Sequence, residues 1–97
     1  MDMVNAIAKA RFSSARAQRV PLHKTQAMHT DLLCLEAGQT LDVPDEGAWT
    51  YYVISGTVAI GQQQSASLPQ GHSLCIQGPH NIRNVAPGRL ILLAVGT

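Results

Sequence analysis

The 97 residues suffice for one hydrophobic core and not for two, so any function sits in or on a single domain. With 45% hydrophobic and 13% charged residues, the composition is that of a folded globular protein, not a disordered one, and no apolar window approaches a membrane span. A formal net charge of +1 lacks the field with which nucleic-acid binders gather phosphates, so neither a nucleic acid nor a membrane is expected as a partner.

The charges are unevenly spread. Lys9, Arg11, Arg16, Arg19 and Lys24 lie in the N-terminal third, and Asp31, Glu36, Asp42, Asp45 and Glu46 follow. This division reads as complementarity between the subunits of a homodimer, with a solvated basic face as the alternative. Cys34 and Cys75 are too few for a disulfide framework and both stand in apolar runs, so two buried free thiols are expected. The N-terminal stretch has no apolar segment suited to a signal peptide, which implies a cytoplasmic protein.

In chain order, residues 1–15 read as a short helix or arm, with Asp2 placed to cap it and Val4, Ile7 and Ala10 spaced for one helical face. From residue 16 to 97 the pattern changes to short apolar or alternating runs. They are Gln18 to Thr25, Ala27 to Leu35, Gln39 to Val43, Thr50 to Ser55, Thr57 to Ile60, Ser65 to Leu68, His72 to Ile76, Ile82 to Val85 and Leu90 to Val95. Between them stand turn formers such as Ala37-Gly38, Pro44 to Gly47, Ser55-Gly56, Gly78-Pro79 and Pro87-Gly88, while Gln62-Gln63-Gln64 suits a polar hairpin tip. Many short strands at this spacing predict an all-β barrel or two-sheet sandwich.

Four marks then stand in order: Leu-Glu-Ala-Gly-Gln ending at Gln39, Tyr-Tyr-Val-Ile-Ser-Gly-Thr-Val from Tyr51, Leu-Pro-Gln-Gly from Leu68, and His80 followed after three residues by Asn84. Over Leu32 to Asn84 the chain resembles the cupin superfamily, and the resemblance implies a single-domain, RmlC-like jelly-roll barrel. In metal-binding cupins the first motif supplies two histidines and a glutamate. Counting back from Gly56, the glutamate position falls on Trp49 and the histidine positions on Val43 and Asp45, or on Asp42 and Pro44; counting forward from Gly38 gives Pro44 and Glu46. No histidine lies between Thr30 and Gly71. Only His80 matches a family ligand, and one ligand does not make a transition-metal site, so no metal and no other cofactor is expected. The remaining candidates, His80 with Asp45 or Glu46, would leave an open, weak site.

The residues that could carry chemistry gather around two strands. Trp49, Tyr51 and Val53 alternate with Thr50, Tyr52 and Ile54, and the count from Gly56 turns the Trp49 face inward. A ligand would then meet Trp49, Tyr51, Val53, His80 and Asn84, although aromatic residues here also serve simply to fill a core. His80 and Tyr51 are the catalytic candidates, since the resemblance extends to epimerising cupins in which a histidine and a tyrosine exchange protons with substrate. His23, His29 and His72 share no ligand spacing and read as structural, and the alternation of His29 with Asp31 reads as a polar pair on the solvent side of its strand. The expected function is metal-free binding of a small organic molecule in the barrel. The alternative is an enzyme, either a metal-free isomerase or epimerase, or an atypical metal-dependent cupin.

Overall fold

A computed structural model describes every residue except Asp2 and Gln63. The capping expected of Asp2, and the centre of the glutamine tip, lie outside the described residues. Among the described residues nine antiparallel strands follow one another: β1 (Gln18–Lys24), β2 (His29–Leu35), β3 (Thr40–Val43), β4 (Ala48–Ser55), β5 (Thr57–Gly61), β6 (Ser65–Pro69), β7 (Ser73–Gln77), β8 (His80–Asn84) and β9 (Leu90–Gly96). They form a five-stranded sheet in the order β1-β2-β9-β4-β7 and a four-stranded sheet in the order β3-β8-β5-β6.

The alternation of each strand decides what the sheets enclose. On β4, Trp49, Tyr51 and Val53 turn inward; on β9, Leu90, Leu92 and Ala94 do; on β8, His80, Ile82 and Asn84 do. Their apolar members join Leu33, Leu35, Val43, Val58, Ile60 and Leu68 in one core. Gly56 makes the tight turn from β4 to β5 with φ of 97°, a conformation that other residues adopt only under strain, and a Cβ there would stand 2.9 Å from the Arg89 carbonyl.

The N-terminal stretch, read from the sequence as a short helix or arm, leaves its Val4 and Ile7 spacing without a buried face. Among its described residues only a 3-10 turn forms, over Ile7–Lys9, and Val4 and Ile7 are exposed. Asn5 serves it, its Oδ1 accepting from the Ala8 N–H at 3.2 Å. Farther on, the segment closes on its own barrel. The Arg89 guanidinium stands 4.4 Å over the Phe12 ring, and Gln39 Nε2 donates to the Ser13 carbonyl at 2.7 Å. This end of the arm therefore needs no neighbouring subunit to pack on. Leu32 and Cys34, on the outward face of β2, are nonetheless fully buried. Burial pushes the Cys34 thiol pKa up, opposed by the Arg11 backbone and the Arg11 charge. Cys75 differs from the expectation of two buried thiols: it is exposed, because its position on β7, opposite Thr50 of β4, points it away from the core.

Candidate functional site

The mouth of the barrel lies where β1, at one edge of the larger sheet, comes beside β3, at one edge of the smaller. A cleft of about 510 Å³ opens there, with Arg19, Pro21 and Lys24 of β1, His29 and Asp31 of β2, Leu41 and Val43 of β3, Asp45 of the following loop, and Trp49 among its walls. Trp49 forms its floor and is only 4% exposed. The Arg19 guanidinium lies 5.2 Å from the centroid of its ring, His29 meets it edge-on at 4.9 Å, and Tyr51 lies nearly parallel to it at 6.2 Å. Its indole N–H donates to Asp45 Oδ2 at 3.1 Å. Packed on these sides, the indole closes the barrel beneath the cleft and fills space that would otherwise receive a ligand.

Behind Trp49, the Tyr51 hydroxyl and His80 Nε2 are 2.6 Å apart, in a buried hydrogen bond. His80 Nδ1 lies 2.9 Å from the Gly78 carbonyl, which can only accept, so the imidazole carries its proton on Nδ1 and the phenol donates to Nε2. Burial pushes the Tyr51 pKa strongly upward; the Arg19 charge opposes the shift and Asp45 adds to it. The phenol is therefore held as a donor.

Of the five residues expected to meet a ligand, Trp49 lines the mouth cleft, and His80 lines a neighbouring cleft of about 400 Å³ with Val43, Pro44 and Pro79. Tyr51, Val53 and Asn84 line neither. Asn84 is occupied structurally: its Nδ2 donates to the carbonyls of Leu35 and Gly88 at 3.0 and 2.8 Å, and its Oδ1 accepts from the Ala86 N–H at 2.9 Å. Those bonds tie the turn after β8 to the end of β2.

Sequence reasoning passed over the Arg19, His29 and Asp31 group. Asp31 does not face solvent, being 5% exposed; its Oδ2 accepts from Arg19 Nη1 at 2.7 Å and lies 3.4 Å from His29 Nδ1. The signal available was the hairpin itself. Pro21 opposes Asp31 in the register of β1 and β2, which brings Arg19, two residues earlier, diagonally across from the carboxylate.

The residues present do not fit the transition metal of metal-binding cupins. Val43 stands directly opposite His80 across β3 and β8, and neither Val43 nor Trp49 can donate a side-chain lone pair to a cation. Both His80 nitrogens already have protein partners. Asp45 receives the indole N–H and Glu46 is exposed. Among the described residues no three His, Cys, Asp or Glu side chains form a group that could hold a metal ion.

No protein-family model and no curated protein matches the chain. Solved structures do. TT1209 from Thermus thermophilus superposes with a TM-score of 0.90 at 24% identity, covering 100% of this chain and 97% of that one. An uncharacterized conserved protein with a double-stranded beta-helix domain from Klebsiella pneumoniae gives 0.89 at 20% identity, covering 100% and 90%. An RmlC-like cupin protein from Desulfovibrio desulfuricans gives 0.81 at 21%, covering 99% and 96%. The chain has the fold of the cupins, an RmlC-like jelly roll. Among the described residues no helix is long and apolar enough to cross a membrane.

Proposed function

We propose that this chain is a metal-free binding protein that takes a small organic molecule at the mouth of its jelly roll. One observation carries the reading: a cleft of about 510 Å³ joins an apolar floor of Trp49, Leu41 and Val43 to a few polar groups, of which Arg19 and Asp31 are held in place by their ion pair. Small-molecule sites have this size and this mixture. The interior behind the floor is filled by Tyr51, Val53 and the core, so the mouth is favoured over the barrel's centre.

Trp49 is the only tryptophan, so its emission reports on the cleft. In a screen of small metabolites, a ligand is expected to raise the melting temperature and change Trp49 emission over the same concentration range. Compounds that raise the melting temperature and leave the emission unchanged would overturn the assignment to this cleft.

Metal-free acid and base catalysis by Tyr51 and His80 is the second reading, favoured by their 2.6 Å hydrogen bond. Against it, Tyr51 is fully buried and its phenol is stabilised in the protonated form, so it meets no substrate without rearrangement of Trp49. We also propose that the protein works as a homodimer, since the outward face of the larger sheet leaves Tyr52 exposed beside half-buried Ile91, Leu93 and Val95, a surface that suits association of two copies.

A further inference from the structure

We propose that the molecule bound at the mouth is a zwitterion of the α-amino acid class with an apolar side chain; this rests on the mouth cleft being the binding site. The groups facing the cleft have hydrogen-bonding capacity of both signs left over. Arg19 uses one Nη1 contact on Asp31, and no other hydrogen bond joins its guanidinium to the described residues. Asp31 accepts from Arg19 through Oδ2, with His29 Nδ1 3.4 Å from the same oxygen, and among the described residues no hydrogen bond reaches its Oδ1. The side chain of Asp31 is 7% exposed and lines the cleft, and no buried side-chain oxygen or nitrogen among the described residues lacks a partner. Its open oxygen is therefore presented to the cleft and not sealed in the protein.

A ligand filling both capacities brings an anionic group to the guanidinium and a cationic donor to the carboxylate. Both bonds are charge-assisted, and the planar guanidinium suits a carboxylate in particular. Spacing narrows the class. The guanidinium and the carboxylate are joined by their own 2.7 Å bond, so the groups left free sit on adjoining side chains and suit a ligand whose two charges are close together. An α-amino acid, with carboxylate and ammonium on one carbon, meets this condition, whereas a long ω-amino acid separates its charges. Beyond the pair, the floor of Leu41, Val43, Pro21 and Trp49 offers an apolar side chain a place to lie.

The test uses the native protein and three compounds of one shape: L-leucine, 4-methylpentanoate, which lacks the ammonium, and isoamylamine, which lacks the carboxylate. L-leucine is expected to change Trp49 emission saturably. Each analogue should bind at least about 10-fold more weakly, because each lacks one charge-assisted pair. Asp31→Asn, checked for folding by its own melting transition, should lower L-leucine affinity and leave that of 4-methylpentanoate nearly unchanged. Analogues that bind as well as L-leucine, or a metabolite that is not an α-amino acid and saturates Trp49 emission where L-leucine does not, would overturn the zwitterion and leave the cleft as the site. If no compound in either set changes Trp49 emission, the cleft and the zwitterion both fall.

Discussion

Tyr51 and His80 form a pair in which each side chain depends on the other, because a buried imidazole nitrogen stripped of its donor keeps the desolvation cost of burial without the bond. Tyr51→Phe is therefore expected to destabilise the fold by about 1–3 kcal/mol near neutral pH. A pH dependence accompanies it. Tyr51 has its pKa raised above the ordinary 10.0 by burial, so below about pH 10 the phenol is protonated in both states and its contribution is complete. At higher pH the unfolded chain loses this proton first, the folded state binds more protons, and stability falls. Urea unfolding between about pH 9 and pH 11 should show that decline in the native protein and a shallower one in Tyr51→Phe; equal slopes would mean that the phenol ionises alike in both states. The inward direction of this residue was legible, since the alternation of Trp49, Tyr51 and Val53 places all three on one face. The burial of Asp31 was not, because it depends on Arg19 from another strand and on a diagonal register that local alternation does not encode.

At the scale of the element, β9 holds the larger sheet together, paired with β2 on one side and β4 on the other. Its last residue, Gly96, opposes both His29 and Trp49, and a Cβ there would stand 2.7 Å from the Trp49 ring. The indole reaches its place at the mouth only because this position has no side chain. Gly96→Ala is expected to cost about 1–3 kcal/mol as the ring is displaced, whereas Gly88→Ala, with open space around its Cβ, should stay within about 0.5 kcal/mol of native. Thermal melts of the two variants decide this, and a neutral Gly96→Ala would mean that Trp49 shifts freely. Each of the nine strands falls on a run visible in the sequence, because turn formers and alternation mark strands locally. Their ends were less legible: β4 starts at Ala48 and β8 at His80, where pairing with β7 and with β3 extends the ladder past the apolar residues. The N-terminal stretch left helix and arm both open for a different reason. Its helical spacing is real, but no partner surface buries Val4 and Ile7, and so short a helix has little stability of its own.

For the whole molecule, the four sheet edges are β1, β7, β3 and β6, and an edge left open invites pairing with a second chain. The β1 edge is guarded: its register shifts between Pro21 and His23, and Arg19 and Lys24 add charge. The outward face of the larger sheet carries no such protection around β4, β7 and β9. Tyr52 is 44% exposed there, Ile91, Leu93 and Val95 are half-buried, and the neighbouring outward positions Thr50, Ser73 and Cys75 are uncharged. In the proposed dimer a twofold axis would set this face against its own copy, with no like charges to oppose it. Light scattering is expected to give a dimer mass at tens of micromolar, roughly the range in which reversible dimers are measured. Leu93→Glu should shift the mass to that of the monomer while native Trp49 emission is retained, since the substitution puts a charge on the outward face and leaves the core untouched. A native chain that stays monomeric throughout that range, or a Leu93→Glu variant that remains dimeric, would remove this face as the interface.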